Sequence, residues 1–396
     1  MNINNITLEI LDPRFLRQKE DLLIDQAWVK NAISDVISEI DNMLPRFSET
    51  FPAASSENGI YPEVKQVDWT EGFWTGLLWL AYEATADEKY KTIAESFLPQ
   101  FEERLDKDIK INTHDLGFLY ILSCVAAWKV AGNEYARGLA LRAADHLLAR
   151  FNSTAKIIQA WGDLSDPARQ GRMIIDCNLN LPLLFWASQE TGNKKYSEAA
   201  TLHLEQATRY LVRNDASTFH TYYIDVNTGE PLRGDTHQGF SDTSCWSRGQ
   251  AWAMYGFALG FEYTNQPNLV ELSRKTTHYF LNRLPEDYIC YWDLIFKDED
   301  KAYRDTSSSA IAVCGMDELI KHLPITDPQI GEYKIAISQI MKSLHQNYFA
   351  KDEDGILKHG VYNFGRNMGI DTANLWGDYY YLEALIRLSK PWKKYW

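Results

Sequence analysis

No apolar run in this chain is long enough to cross a bilayer without polar interruption, and its first residues lack a basic stretch followed by an apolar one. A membrane span is therefore not expected, and the predicted compartment is the cytoplasm. Positive charge is in short supply: 40 Lys and Arg stand against 54 Asp and Glu, a formal net charge of −14, with no basic cluster. That excludes nucleic acid and anionic membrane as expected partners, since both need clustered cations. Ser/Gly-rich and Pro-rich tracts are missing as well, so no linker divides the 396 residues. One domain spanning 1–396 is predicted, with 1–22 as an extension before the first helix. Cysteine is scarce. Cys124, Cys177, Cys245, Cys290 and Cys314 are odd in number and form no Cys-x-x-Cys pair, so they read as small buried side chains in a reducing compartment. Asp225, Asn227 and Glu230 echo a calcium loop, but the full twelve-residue pattern is missing. No metal and no cofactor are expected. Oligomeric state is not legible, because exposed and core apolar residues look alike in a sequence.

What the chain has in abundance is helical periodicity of two alternating kinds. Segments 23–44, 88–105, 133–150, 194–213, 267–284 and 329–348 space apolar residues three and four apart with charges between, and should face solvent on one side. Segments 70–84, 113–131, 173–190, 244–263, 306–322 and 371–389 are apolar nearly all round, and should be buried on every side. Six of each in strict alternation predict six helical hairpins forming an all-α (α/α)6 barrel, the second members inside; the rival is an open helical solenoid. Connections leaving the inner helices are short. Those entering them, at 45–69, 151–172, 214–243, 285–305 and 349–370, are long. The long loops therefore share one face, at the amino-terminal ends of the inner helices, where unpaired N–H groups suit an anionic ligand. Within 214–243, the run from Phe219 to Pro231 reads as a hairpin with an Asn227-Thr228-Gly229 turn.

Polar groups open each inner helix. Asp68-Trp69, His114-Asp115, Asp176-Cys177-Asn178, Trp246-Ser247-Arg248, Asp305-Thr306 and Asp371 to Trp376 combine aromatics with carboxylates, amides and an arginine, a set suited to a carbohydrate. Helix capping explains Asp68, Thr70, Thr113, Ser244, Thr306 and Asp371 as well or better. Trp74, Trp128, Trp186 and Tyr380 read as core. Asp115 and Asp176 are harder to explain by packing, since a carboxylate opening an apolar run must be paired, hydrogen-bonded or used; pairing with nearby His114 or Arg172 is the structural alternative.

The runs His114-Asp115-Leu116-Gly117-Phe118, Ile174 to Leu184, and above all His237-Gln238-Gly239-Phe240 through Ser247-Arg248-Gly249-Gln250-Ala251-Trp252 resemble the unsaturated glucuronyl hydrolases, glycoside hydrolase family 88. The resemblance runs from about residue 60 to the carboxy terminus and implies the same barrel. It implies a substrate too: an unsaturated uronyl disaccharide of glycosaminoglycan type, left by a polysaccharide lyase and carrying a C4=C5 double bond. The implied reaction is hydration of that vinyl ether. By resemblance Asp176 protonates C4 and then activates the water, and Asp115 is the second aspartate, holding the sugar hydroxyls. Trp69, Trp161 and Trp252 would line the site, with His220, Gln238 and Arg248 around the uronate and His114 and Tyr362 nearby. Arg248 would supply positive potential for the uronate carboxylate. Lys358, His359 and Arg366 would bear on sulfate tolerance. A helix amino terminus at Asp176 would favour its anion, against the acid role, so apolar walls and the charge of Asp115 are expected to raise its pKa. Unsaturated rhamnogalacturonyl hydrolases of family 105 share the barrel and chemistry. An inverting glycosidase using Asp115 and Asp176, an epimerase using His114, His220 and His237, and a non-catalytic glycan-binding scaffold are the other readings.

Overall fold

The computed structural model describes residues 5–16, 22–65, 68–167 and 169–396. The helices alternate as the periodicity predicts. The outer ring comprises α1 (Gln26–Met43), α3 (Glu88–Ser96) with α4 (Leu98–Asp106), α7 (Glu134–Ala149), α9 (Lys194–Tyr210), α11 (Pro267–Leu281) and α13 (Gln329–Ser343). The inner ring comprises α2 (Glu71–Thr85), α5 (Leu116–Tyr120) with α6 (Ala126–Ala131), α8 (Pro182–Thr191), α10 (Ser247–Thr264), α12 (Thr306–His322) and α14 (Leu375–Ser389). Helix α14 packs against both α12 and α2, which closes the ring into an (α/α)6 barrel rather than an open solenoid. Burial follows the two patterns. Helix α1 buries Val29, Ala32, Val36, Ile40 and Met43, one stripe at helical spacing, whereas α10 is buried without a break from Ser247 to Gly260.

At one end the inner helices turn straight into the next outer ones. Ala86, Gly132, Gly192 and Asn265 end α2, α6, α8 and α10 in the left-handed conformation, and Asp87, Asn133 and Asn193 cap the helices that follow. The last residues close this end: the Trp396 indole donates to Glu383 Oε2 (2.8 Å) and stacks on Tyr380, rings 5.9 Å apart. At the other end lie the long loops and, among the described residues, all the strands. These are the hairpins β1 (Phe51–Pro52) with β2 (Glu63–Val64), β3 (Phe151–Asn152) with β4 (Ile157–Ile158), and β8 (Gly360–Asn363) with β9 (Met368–Thr372), and an antiparallel sheet of β5 (Arg172–Ile174), β6 (Thr221–Ile224) and β7 (Pro231–Asp235). The turn between β6 and β7 is the expected one, with Asp225 Oδ1 accepting from the backbone N–H groups of Asn227 and Thr228.

The structure departs from the predicted helices where loops compete with them. Strand β5 captures 172–174, so 175–179 forms a 3₁₀ turn and α8 starts only at Pro182. Strand β9 does the same to the start of α14, whose N-cap is Asn374. Segment 88–105 breaks at Phe97, ahead of Pro99 in the first turn of α4, and 113–131 starts at Leu116 and passes through a π turn, Ile121–Val125. The expected caps are corrected too. Thr70 stands at the N-cap of α2 without a capping hydrogen bond; Thr113 Oγ1 accepts from Asp115 N–H just ahead of α5 (3.1 Å) and donates to the Asp115 carboxylate; Ser244 and Thr306 donate to Asp293 and the Lys358 carbonyl, and Asp371 contacts His359. Ser244 ties the 238 loop to the 293 loop, and Thr306 ties α12 to the 358 loop.

Of the extension, 1–4 and 17–21 lie outside the described residues. Residues 5–16 lie against the carboxy-terminal end of α11, where Glu9 pairs with Arg283 just past the helix (2.9 Å) and Ile6, Leu11 and Phe15 are buried.

Helix α2 crosses α5 closely. A Cβ on Gly72 would lie 2.2 Å from the Phe118 carbonyl oxygen and 2.8 Å from Leu119 Cα, both backbone. Gly72→Ala is therefore expected to cost about 3 kcal/mol, the upper end for an overpacked core; urea unfolding monitored by circular dichroism measures it.

Candidate active site

The loop face holds a cavity of about 550 Å³ whose lining includes Trp69, Asp115, Trp161, Asp176, Gln238, Arg248 and Tyr362. Local structure places both aspartates. Ile175 N–H donates to the His220 carbonyl (3.1 Å), continuing the β5–β6 ladder, and the 3₁₀ turn that follows carries Asp176. Asn180 then joins the two acidic segments: its amide donates to the Asp176 carbonyl (3.2 Å), and its Oδ1 accepts from Phe118 N–H at the start of α5 (2.8 Å). Asp115 occupies the N-cap position of that same helix.

The two carboxyl groups sit in opposite environments. Asp176 Oδ1 has no hydrogen-bond partner. Burial, reinforced by the charge of Asp115, pushes the Asp176 carboxyl up to about 6, against the opposing pull of His114 and Arg248. Asp115 is buried, yet His114 Nε2 lies 3.3 Å from its Oδ1 and the Thr113 hydroxyl donates to its Oδ2 (2.6 Å). Burial alone would raise it, but these partners hold Asp115 below its ordinary value. In turn burial would lower His114, and the Asp115 carboxylate, with a smaller push from Cys177, outweighs it and lifts the imidazole to about 10. The cavity thus holds an ionised acid and one that keeps its proton toward neutrality, the pairing that acid–base chemistry on a single substrate requires.

Arg248 does not pair with Asp176. It is 1% exposed, and its Nη1 donates to Asp305 Oδ2 (2.8 Å) and the Val361 carbonyl (2.6 Å), its Nη2 to Gln238 Oε1 (2.7 Å) and the Tyr362 carbonyl (2.8 Å). The guanidinium, stacked between Trp246 and Trp376 at 4.5 and 4.8 Å, fastens the 238 loop and the β8–β9 hairpin to α10. Just ahead of α2, the Trp69 indole donates to the Tyr362 hydroxyl of the same hairpin (2.9 Å).

Seven of the ten anticipated residues line the cavity. His114 stands behind Asp115, fully buried. His220 is also behind the wall: its Nδ1 accepts from His237 N–H (3.0 Å), and burial drives it well below its ordinary pKa, so it is neutral. Trp252 does not reach the cavity; it lies one helical turn past Arg248 on α10, packed against Phe118 and Tyr380 at 5.3 and 5.4 Å. Of the three loop residues tied to sulfate, Arg366 lines the cavity and Lys358 and His359 do not. The structure adds Lys110, Asn112, Arg169 and Asn363, and from the groups that open the inner helices it also places Asp68 and Trp246 on the cavity wall. Asp68 was read as a cap; burial, with Glu71 and Asp115 beside it, pushes it up to about 6. A buried pair on α2 and α4 fixes its backbone: Arg104 donates to Glu71 Oε2 (3.1 Å) and to the Asp68 carbonyl (2.6 Å).

Paired carboxylates with divided proton affinities, ringed by indoles and amides at the loop face of an (α/α)6 barrel, define a glycoside hydrolase. The chain belongs to Glycosyl Hydrolase Family 88, whose sequence model matches residues 39–391. It is 45% identical to the unsaturated chondroitin disaccharide hydrolase of Streptococcus pneumoniae, over all of both chains. It is 43% identical to the unsaturated glucuronyl hydrolase of Bacillus sp. strain GL1, covering 93% of this chain and 98% of that one. The crystal structure of unsaturated glucuronyl hydrolase from Streptococcus agalactiae superposes with a TM-score of 0.96 at 42% identity, covering 100% of both chains. An aspartate-to-asparagine variant of that enzyme, solved with dGlcA-GalNAc6S, matches with a TM-score of 0.89 at 40% identity over 100% of both.

Proposed function

We propose that this chain removes the 4,5-unsaturated uronic acid from the non-reducing end of lyase-generated disaccharides of chondroitin type, with Asp176 as acid then base. The observation that carries this reading is the opposite environment of Asp176 and Asp115 in one cavity. The Asp176 carboxyl gives its proton to C4 of the vinyl ether, leaving positive charge shared between C5 and the ring oxygen. The Asp176 carboxylate then takes a proton from water as its oxygen bonds C5. The hemiketal so formed opens to a ketone, and the hemiacetal left at C1 expels the partner sugar. Asp115, kept ionised by His114, accepts hydrogen bonds from the sugar hydroxyls and faces the developing positive charge. Trp69 and Trp161 offer ring faces to the sugar. Lys110, Arg169 and Arg366 along the cavity suit an acidic or sulfated partner sugar, and the chondroitin names of relatives at 42–45% identity favour that class.

The whole chain acts as one catalytic domain in this reading, and its site is cytoplasmic. The five free, buried cysteines support a reducing compartment, and among the described residues no helix is long and apolar enough to cross a membrane. The test is loss of ultraviolet absorbance of the C4=C5 bond in a panel of unsaturated disaccharides. Chondroitin-type disaccharides are expected to react fastest and pectin-derived ones least; unchanged absorbance with every member would refute the reading.

A further inference from the structure

The residues that line the catalytic cavity include three with a carboxyl group: Asp68, Asp115 and Asp176. The mechanism above employs the last two and leaves Asp68 idle. Among the described residues its carboxyl receives one hydrogen bond, donated by the neighbouring Trp69 N–H to Oδ1 (2.8 Å), so Oδ2 has no partner within the protein. A half-buried carboxyl oxygen on a cavity wall is costly to leave unpaired, and a hydroxyl brought in by a ligand satisfies it. The charge of Asp115 bears on Asp68, and that of Asp68 on Tyr362. The third acid thus stands within electrostatic reach of the aspartate assigned to the sugar hydroxyls.

The backbone of Asp68 is held at both of its polar groups. Asp68 N–H donates to Glu71 Oε1 (2.7 Å), Arg104 Nη2 donates to the Asp68 carbonyl (2.6 Å), and Arg104 Nη1 donates to Glu71 Oε2 (3.1 Å). Glu71 and Arg104 are each 1% exposed, one in the first turn of α2 and the other in the last turn of α4. Desolvation offsets much of what a buried ion pair contributes to stability. Here each partner also bonds the main chain of the same wall residue, which fixes where its carboxyl points. Trp69, next in the chain, has a separate anchor in the Tyr362 hydroxyl (2.9 Å), so the clamp bears chiefly on Asp68.

We infer that Asp68 is a substrate-binding residue that accepts a hydrogen bond from a sugar hydroxyl, and that Glu71 and Arg104 are positioning residues that aim it. This rests on the function proposed above and adds a contact to it. The experiment measures kcat, KM and melting temperature for wild type, Asp68→Ala, Asp68→Asn, Arg104→Lys and Asp68→Ala combined with Arg104→Lys, on one unsaturated chondroitin disaccharide. Asp68→Ala is expected to raise KM about tenfold or more, as loss of a hydrogen bond to a charged group does, with kcat within about threefold of wild type. Arg104→Lys keeps a cation beside Glu71, yet is expected to raise KM about fivefold alone and less than about twofold on top of Asp68→Ala, because it acts through the carboxyl already removed. Asp68→Asn keeps an oxygen for the Trp69 N–H and so separates the contact from the fold. Wild-type KM is expected to rise as pH falls through about 6, where the carboxyl that burial pushes up takes its proton, and Asp68→Asn to lose that rise. Unchanged KM in Asp68→Ala, additive losses in the double variant, or the same pH dependence of KM in Asp68→Asn and wild type would overturn the assignment. Failure of the functional reading looks different, since wild type itself would then consume no disaccharide.

Discussion

Asp176→Asn is expected to lower kcat on an unsaturated disaccharide by about 10³-fold or more, within the range that general acid–base catalysis contributes, while making the fold more stable. Both effects have one cause. Asp176 Oδ1 is buried without a hydrogen-bond partner, and its carboxyl is pushed up to about 6 chiefly by burial. A proton retained toward neutrality is what protonation of C4 needs, and an uncharged amide has none to give. The stability effect has a definite sign and pH window. The folded-state pKa lies above the value of about 3.9 for an unfolded Asp, so the folded state binds the proton more tightly than the unfolded chain. Folding is then weakened as pH rises from about 4 through about 6, and the penalty stands in full above that. The amide never ionises. Its melting temperature should exceed that of wild type at pH 7.5 and match it near pH 4. The activity of wild type should follow the same group, kcat/KM falling on the alkaline side as Asp176 loses its proton. A variant that lost activity and stability together at pH 7.5 would mark Asp176 as a structural carboxylate.

The sequence carried the barrel because its two helix types differ in burial, and burial leaves a periodic trace. It pointed to Asp115 and Asp176, which the structure places in one cavity, because a carboxylate opening an apolar run is costly unless paired, hydrogen-bonded or used. Local signals failed where partners distant in sequence decide. The start of the helix expected at 173 is lost to a strand pair with 221–224, and nothing within 173–190 announces that pairing. The same sheet moves Asp176 from the start of a long inner helix into the first turn of the short 3₁₀ helix 175–179, where burial outweighs what the backbone N–H contributes to its anion. Asp68 read as a cap because its neighbours are local; its place in the cavity depends on Arg104, 36 residues on. Trp252 read as a site residue because its motif neighbours are, but one turn of helix moves a side chain about 5 Å along the axis, enough to take it into the core.

Arg248→Met is expected to cost about 3–5 kcal/mol of stability, the range for breaking a buried ion pair from one side. At about 2.1 cal/mol/K per residue over a chain this long, that is a fall of about 5 °C in melting temperature. The residue looked like a cation for the substrate carboxylate, and both its Nη groups are engaged: Asp305 Oδ2, the Val361 and Tyr362 carbonyls and Gln238 Oε1 accept from them at 2.6–2.8 Å. Removing the guanidinium strands Asp305, which is 0% exposed and would keep only the hydroxyls of Ser307 and Ser308. It also frees two walls of the cavity, so activity should fall further than stability explains. Asp305→Asn in the same chain separates the two consequences. Taking away the stranded charge should restore much of the lost melting temperature, because an amide is far cheaper to bury than a carboxylate. It leaves Gln238 and the Tyr362 carbonyl unfastened, so kcat/KM of the double variant should stay close to that of Arg248→Met. Recovery of activity along with stability would show that the arginine acts only through the fold; no recovery of either would place its weight on the loop contacts rather than on Asp305.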